Sequence, residues 1–147
     1  MNNTMVPHGC ADKGLIAHGA VMLLLGLLSG FTPAFARAPV AALEAHRIGV
    51  VQGALLFAVA AVWPALGAGG AVTAARWCGL TGLYCNWAGA QLAGLWSAKG
   101  MFMVHGNAMP GGAPLWEEGI VAVLLNLSAL VGVMCVLILV ALRKKPA

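Results

Sequence analysis

Four apolar stretches, each long enough to cross a lipid bilayer, occupy most of the 147 residues of this chain. They lie near residues 14–36, 48–67, 72–98 and 120–142. A helix needs about 20 apolar residues to cross the hydrocarbon core, and within lipid a helix satisfies its own backbone groups. The loops are short, so neighbouring helices run antiparallel. The pattern predicts an all-α fold, an integral membrane four-helix up-and-down bundle forming one domain over residues 1–147.

Composition leaves no room for a separate soluble domain. Hydrophobic residues make up 61% of the chain and charged residues 8%, against roughly 25% charged in an average soluble domain. The first stretch also resembles a signal peptide, since Lys13 precedes the apolar run 22–28 and Ala34, Phe35 and Ala36 stand where cleavage would fall. We expect the segment to be retained as the first membrane span.

The basic residues outside the apolar stretches divide unequally between the two sides of the membrane. One side holds Lys13, Arg76, Arg143, Lys144 and Lys145, whereas the other holds Arg37, Arg47 and Lys99 with Glu44, Glu117 and Glu118. Cytoplasmic segments carry the excess of Lys and Arg, so we expect both termini in the cytoplasm of a bacterial-type inner membrane. The basic tail meets anionic headgroups, and the net charge of +4 needs no nucleic-acid partner.

The third stretch carries polar side chains that share one helix face. Spacings of four and three connect Trp77, Thr81, Tyr84, Ala88 and Gln91, with Asn86 and Trp87 beside them. An amide or a phenol in hydrocarbon needs a partner, so we expect this face to meet protein, a cofactor or water. Hydrogen bonding between helices is the structural alternative, at about 0.6 kcal/mol for each contact.

Two histidines are candidate ligands. His18 lies one turn into the first stretch and His46 opens the second. Neutral imidazole is a common metal ligand and the usual proximal ligand of haem, and the alternative is a polar residue at the level of the headgroups. The cysteines show no metal-ligand spacing. Glycines inside the stretches let membrane helices approach closely.

The sequence also excludes several classes of protein. No carboxylate lies inside any of the four stretches. This argues against small multidrug transporters, because they depend on a membrane-embedded glutamate. The chain has no glycine-rich phosphate loop, no Ser/His/Asp arrangement and no dinucleotide fingerprint. A redox cofactor that requires a Rossmann domain is excluded by the length of the chain.

A family resemblance runs in order through all four stretches. It is carried by Ala17-His18-Gly19, Ala45-His46, Gly49-Val50-Val51-Gln52-Gly53, Trp63-Pro64, Tyr84-Cys85-Asn86-Trp87-Ala88, Leu95-Trp96 and Met109-Pro110. These elements resemble hydroxylaminobenzene mutases, and the one that begins at Tyr84 is the most specific. More remotely, the chain is similar to styrene oxide isomerases, which have a Gly-His-Gly opening, an Ala-His before the second span and an asparagine in the third.

The resemblance implies a cofactor and an assembly. Styrene oxide isomerases are trimers that hold haem b through a histidine before the second span, which corresponds here to His46. An active-site asparagine six residues later corresponds to Gln52. Their active-site tyrosine has no aligned partner in this chain, a difference that favours the mutase reaction. We therefore expect haem b on His46, with His18 as the second candidate ligand, in a homo-oligomer for which a trimer is favoured.

Helix geometry places His46 and Gln52 on different faces of the second span. At 100 degrees per residue the two are about 120 degrees apart around the helix and roughly 9 Å apart along it. One narrow groove in a single bundle cannot hold both, so we expect a neighbouring subunit to complete the site. Gly49 and Gly53 are predicted to bind the cofactor by leaving a flat surface for the macrocycle, with close helix packing as the equal alternative.

The predicted function is that of a membrane-bound isomerase, a mutase that rearranges aryl hydroxylamines such as hydroxylaminobenzene to 2-aminophenols. Haem iron is predicted to act as a Lewis acid. The residues expected to orient the leaving oxygen are Gln52, Tyr84 and Asn86. Those expected to line the pocket for the apolar aromatic substrate are Trp87, Gln91 and Trp96. The alternatives are a haem-dependent aryl epoxide isomerase of the styrene oxide isomerase type and a noncatalytic small membrane bundle or carrier.

Overall fold

The computed structural model describes residues 11–98 and 112–143, and these residues contain four long helices. Their bounds are Lys13–Ser29 for α1, Pro39–Val62 for α2, Gly70–Trp96 for α3 and Leu115–Arg143 for α4. Short 3₁₀ turns, Thr32–Ala34 and Trp63–Leu66, follow α1 and α2. The described residues contain no strand, which confirms the all-α prediction. Lys99, Met109, Pro110, Lys144 and Lys145 lie outside the described residues.

The starts of the helices follow from local sequence. Asp12 caps α1, because its Oδ1 accepts a hydrogen bond from the Leu15 N–H at 2.9 Å. Pro39 opens α2 at a position where its missing N–H is not needed. Both α2 and α4 begin before the predicted residues 48 and 120. The added residues at the start of each helix include charged side chains, Glu44 in α2 and Glu117 in α4, which a search for apolar stretches leaves out.

Three segments are long and apolar enough to cross a membrane: Lys13–Ala34, Pro39–Leu66 and Leu115–Leu142. They indicate a membrane protein and match three of the four predicted spans. The predicted span at residues 72–98 overlaps most of α3, whose 27 residues give about 40 Å of helix, longer than the hydrocarbon core. α3 is less apolar than the other three because it carries polar side chains such as Arg76, Asn86 and Gln91.

The helices pack in chain order, α1 on α2, α2 on α3 and α3 on α4. Neighbours run antiparallel, because the start of each helix meets the end of the next. The Asp12 N–H donates to the Ala60 carbonyl at 2.9 Å, and the Ala38 N–H donates to the Gly94 carbonyl at 3.0 Å. α4 rests mainly on α3. The apolar stretch that lets α4 cross a membrane is not buried by the other helices. This arrangement leaves a groove between α2 and α4.

Small residues let α1 and α2 approach within backbone contact. A Cβ placed on Gly26 would lie 2.5 Å from the backbone nitrogen of Val50 and 2.6 Å from the carbonyl carbon of Gly49. Gly53 is equally crowded, since its Cβ would lie 2.8 Å from the backbone nitrogen of Leu23. In lipid, such close packing replaces the hydrophobic effect as the force that holds helices together. The two helices therefore form a rigid unit.

The packing of α1 on α2 predicts the effect of a single methyl group. Gly26→Ala should lower the free energy of unfolding by about 1–3 kcal/mol, the usual cost of overpacking, because backbone atoms cannot move aside. Thermal unfolding in detergent micelles, followed by circular dichroism, measures the effect. Gly119→Ala is the matched control, since a Cβ there meets nothing within 4 Å. Equal melting temperatures for the two variants would contradict the contact.

Candidate functional site

A cavity of about 380 Å³ lies in the groove between α2, α3 and α4. Its volume falls within the range of roughly 300–1,000 Å³ that is typical of small-molecule sites. The walls are mostly apolar, with leucines and valines from α2, α3 and α4. A few polar or thiol side chains also line the cavity: Gln52, Arg76, Asn86, Ser128 and Cys135. Apolar walls with a few convergent polar groups are the usual composition of a ligand pocket.

Gln52 is the most informative residue of the cavity. Its side chain is 8% exposed, and its Oε1 has no hydrogen-bond partner. A buried polar group without a partner costs about 1–3 kcal/mol, so Gln52 is held in the wall at the expense of stability. Asn86 from α3 lines the same cavity. The structure thus brings together two of the three residues that the sequence predicts to orient a leaving oxygen.

The opposite end of the cavity holds an ion pair. Arg76 lines the cavity and donates two hydrogen bonds to Asp12, at 2.7 Å from Nη1 to Oδ2 and 3.0 Å from Nη2 to Oδ1. The Leu15 N–H bond and then Arg76 hold the pKa of Asp12 below its ordinary 3.8, although desolvation opposes them. Asp12 is therefore ionised at neutral pH. The Asp12 carboxylate balances the positive charge of the Arg76 guanidinium, so this end of the cavity carries no net charge.

His46 lies outside the groove and points to α1. Its Nδ1 is 2.8 Å from the Gly26 carbonyl oxygen, which can only accept, so in the neutral ring Nδ1 carries the hydrogen. Nε2 is then the nitrogen with the free lone pair. Metal-binding histidines are oriented in this way, by donating the other ring N–H to a carbonyl or carboxylate. The chemistry of His46 would therefore fit a residue that holds haem iron.

Gly49 and Gly53 do not offer the flat surface that was expected beside His46. Both are buried, and α1 fills the space above them: a Cβ on Gly49 would collide with Gly26, and a Cβ on Gly53 would lie 2.9 Å from the Leu23 Cβ. The two glycines therefore serve close helix packing, which was the alternative to cofactor binding. A macrocycle held by His46 has no room at these two glycines, because the backbone of α1 occupies it.

Tyr84 and Trp87 face α1 and the core instead of the groove. The Tyr84 hydroxyl and His18 Nδ1 are 3.1 Å apart, and their rings meet edge to face. Trp87 donates from Nε1 to the Ser29 hydroxyl at 3.1 Å. Each polar group thus has an internal partner, as the helix-to-helix alternative predicts. Neither aromatic residue lines the cavity.

The remaining predicted pocket residues lie towards the other end of α3. Gln91 is 8% exposed, with both amide atoms unpartnered, and Trp96 meets Trp116 edge to face at 5.4 Å between ring centroids. Neither residue lines the cavity. The polar stripe on α3 is therefore divided: Trp77 at its start is 58% exposed, whereas Gln91 is buried. Neighbouring helices cover only part of that face.

The contribution of α4 to the cavity was not predicted from the sequence. Ser128, Gly132, Cys135 and Leu139 all line it. They follow spacings of four, three and four, which place them on one face of a helix. The signal in the sequence is that Ser128, Gly132 and Cys135, all small, share one side of a span that is otherwise apolar except for Asn126. The sequence assigns Arg76 only a role in membrane orientation, whereas the structure places it inside α3.

The unpaired amide of Gln52 predicts a stabilising substitution. Gln52→Met keeps the length of the side chain and removes the buried Oε1, so the protein without substrate should unfold at a higher temperature. Thermal unfolding in micelles is again the measurement. Leu55→Met, in the same wall, controls for the introduction of methionine itself. A melting temperature below wild type for Gln52→Met would show that Oε1 has a partner.

Comparison with known proteins places the chain in a family. It matches the family described as SOI, styrene oxide isomerase, over residues 11–144. It is 38% identical over 138 residues to hydroxylaminobenzene mutase HabB of Ectopseudomonas oleovorans, covering 92% of this chain and 83% of that protein. Hydroxylaminobenzene mutase HabA of the same organism is 32% identical over 114 residues, 77% of this chain and 84% of that protein. No solved structure matches the chain significantly. The chain therefore belongs to the family of hydroxylaminobenzene mutases and styrene oxide isomerases, and it is an isomerase.

Proposed function

We propose that this protein rearranges aryl hydroxylamines, such as hydroxylaminobenzene, to 2-aminophenols within the membrane. The observation that carries the proposal is the pair Gln52 and Asn86 in one apolar groove, with the Gln52 Oε1 left unpaired. Two relatives named for this reaction cover most of the chain. Membership of an isomerase family sets aside the noncatalytic bundle or carrier.

The reaction is an isomerisation that needs no oxidant or reductant. The N–O bond of the hydroxylamine breaks with its electron pair on oxygen, and a C–O bond forms at the ortho carbon of the ring. The ortho carbon loses a proton while nitrogen gains one, so atoms and electrons balance. The protein must hold the leaving oxygen near the ring and keep bulk water from capturing the cationic ring.

The groove residues are suited to both tasks. The Gln52 side chain lines the groove, and a turn of its amide towards the substrate lets the buried Oε1 accept a hydrogen bond from the substrate N–H. The Asn86 amide donates to the departing oxygen, where negative charge develops in the transition state. Ser128 from α4 lines the same cavity, and its hydroxyl supplies a second donor. Leucine and valine side chains surround the ring and exclude water.

We further propose that His46 holds haem b. The hydrogen bond from Nδ1 to the Gly26 carbonyl leaves Nε2 free for iron. When bound, the haem supplies charge withdrawal by a Lewis acid. Because α1 covers Gly49 and Gly53, the macrocycle must lie elsewhere around His46. A homo-oligomer, with the trimer of the resemblance favoured, would bring a second subunit to that surface.

The proposed setting is a bacterial-type inner membrane, with four spans and both termini in the cytoplasm. Antiparallel packing of the four helices supports this topology. Of the polar residues that make α3 less apolar, Gln91 is buried and Asn86 lines the groove. The substrate, an apolar arene, partitions into the bilayer. A cysteine placed at either terminus should resist labelling from the periplasmic side of intact cells. Labelling there would reverse the topology.

The activity prediction concerns membranes that contain the protein. They should convert hydroxylaminobenzene to 2-aminophenol without NAD(P)H or oxygen, as followed by liquid chromatography. Gln52→Met and Asn86→Leu should each lower kcat about 10²-fold, the effect of losing one donor or acceptor at a developing charge. Leu55→Met is the control in the same wall.

Turnover of an aryl epoxide distinguishes the second candidate function. The match to the styrene oxide isomerase family over residues 11–144 favours testing styrene oxide beside hydroxylaminobenzene. Purified, haem-loaded protein that rearranges styrene oxide to phenylacetaldehyde and leaves aryl hydroxylamines unchanged would replace the mutase assignment by the epoxide isomerase.

The haem prediction concerns His46. His46→Ala should insert and fold but lose the Soret band of the purified protein, because no other imidazole has its Nδ1 bound to a carbonyl in the described residues. His18→Ala is the control and should retain the band. A spectrum of His46→Ala identical to that of wild type, with loss in His18→Ala, would assign the iron to His18.

A further inference from the structure

The cavity is much longer than hydroxylaminobenzene. On α3 its wall runs over residues 75–86, and on α4 over residues 128–139; at 1.5 Å per residue each wall is about 16 Å long. Gln52, Asn86 and Ser128 stand at one end of this length, whereas Trp63, Arg76 and Leu139 stand at the other. A benzene ring with one hydroxylamine group, held by the amides, leaves the far half of the cavity empty.

The middle of the cavity is kept open by small residues. A Cβ on Gly132 would meet nothing within 4 Å, and a Cβ on Gly79 would meet only the Cys135 Sγ, at 3.3 Å. Both glycines line the cavity. The helix contact at Gly26, in contrast, leaves no space for even a methyl group. Gly132 thus does not serve close packing, and the open space beside it is available to a ligand.

The far end of the cavity is polar but carries no net charge. Both ends of the Arg76 guanidinium are bonded to Asp12, so an anionic group arriving there would meet a cation that is already paired and a carboxylate that repels it. An uncharged group avoids this repulsion and the desolvation of a free charge. The end therefore selects against anions.

We propose that the groove takes aryl hydroxylamines that carry a long uncharged para substituent, with the hydroxylamine at Gln52 and Asn86 and the substituent extending past Gly132 to the Asp12–Arg76 pair. Compounds of biphenyl length are the substrate class. This inference rests on the proposed mutase function and adds the part of the substrate that this function leaves undefined. Gly132 and the ion pair are the residues that set the specificity.

The test compares kcat/KM for three compounds: hydroxylaminobenzene, 4-hydroxylaminobiphenyl, and 4-hydroxylaminobiphenyl that carries a carboxylate at the 4′ position. Wild type should process the biphenyl at least as well as hydroxylaminobenzene and discriminate against the carboxylate. Gly132→Leu should lower the ratio of biphenyl to hydroxylaminobenzene about tenfold, the size expected when a hydrophobic pocket loses part of its space. Gly119→Leu, on the same helix but outside the cavity, is the matched control. Because the substrates partition into lipid equally in both samples, partition does not affect the comparison of the two variants.

Asp12→Asn tests the far end separately. Asparagine still caps a helix, so α1 should remain intact while Arg76 loses its counter-charge. Turnover of the 4′-carboxylate relative to the uncharged biphenyl should rise about tenfold or more, and an unchanged ratio would remove the ion pair from the proposal.

The outcomes separate this inference from the proposed function. If hydroxylaminobenzene is converted but kcat/KM for the biphenyl is lower than kcat/KM for hydroxylaminobenzene, the inference is overturned and the mutase assignment stands. An equal ratio of biphenyl to hydroxylaminobenzene turnover in Gly132→Leu and Gly119→Leu has the same meaning. If neither hydroxylaminobenzene nor 4-hydroxylaminobiphenyl is converted, the mutase assignment fails. Binding of 4-aminobiphenyl and of aniline, measured by calorimetry, then tests whether the groove takes a ligand of biphenyl length. If 4-aminobiphenyl binds more tightly than aniline and Gly132→Leu removes the difference, the inference is supported. Equal affinities for the two amines reject it.

Discussion

The structure depends on the need to keep the polar side chains of α3 out of lipid. Hydrocarbon offers no partner to an amide or a guanidinium, so α3 must be flanked by protein on the faces that carry these groups. The order of packing provides this cover, with α2 and α4 on either side of α3. Arg76 finds its partner in Asp12 at the start of α1. Asn86 faces the groove. α3, the least apolar of the four described helices, thereby has a helix on either side.

The tight contact between α1 and α2 fixes the directions of the two functional faces of α2. Because Gly26, Gly49 and Gly53 leave no freedom between the backbones, α2 cannot rotate against α1. His46 is held towards α1 by the Gly26 carbonyl, and Gln52 is held towards the groove. The rigid pair thus separates a candidate ligand for iron from a candidate residue for substrate, although both belong to one helix.

The buried amides show where stability is given up. Gln52 and Gln91 keep atoms without partners, while Tyr84, Trp87 and Arg76 all have them. Packing alone does not require an unpaired amide in an apolar wall, since a leucine would fill the position at lower cost. Groups that are unsatisfied in the free protein are often those that a ligand satisfies. For Gln52 the cavity beside it provides the space for that ligand.

The sequence by itself determined the helices, the membrane character of three of them and the family, because apolar length and motif order are properties of the chain alone. It also determined that His46 and Gln52 diverge, since the angle between two residues of one helix is fixed by helix geometry. The tertiary structure decided which residues from different helices share a site. Gln52 and Asn86 meet α4 in one groove, whereas Gly49 is covered by α1 and Trp96 pairs with Trp116. These pairings depend on the register and rotation of one helix against another, and the periodicity of a single helix carries no information about either.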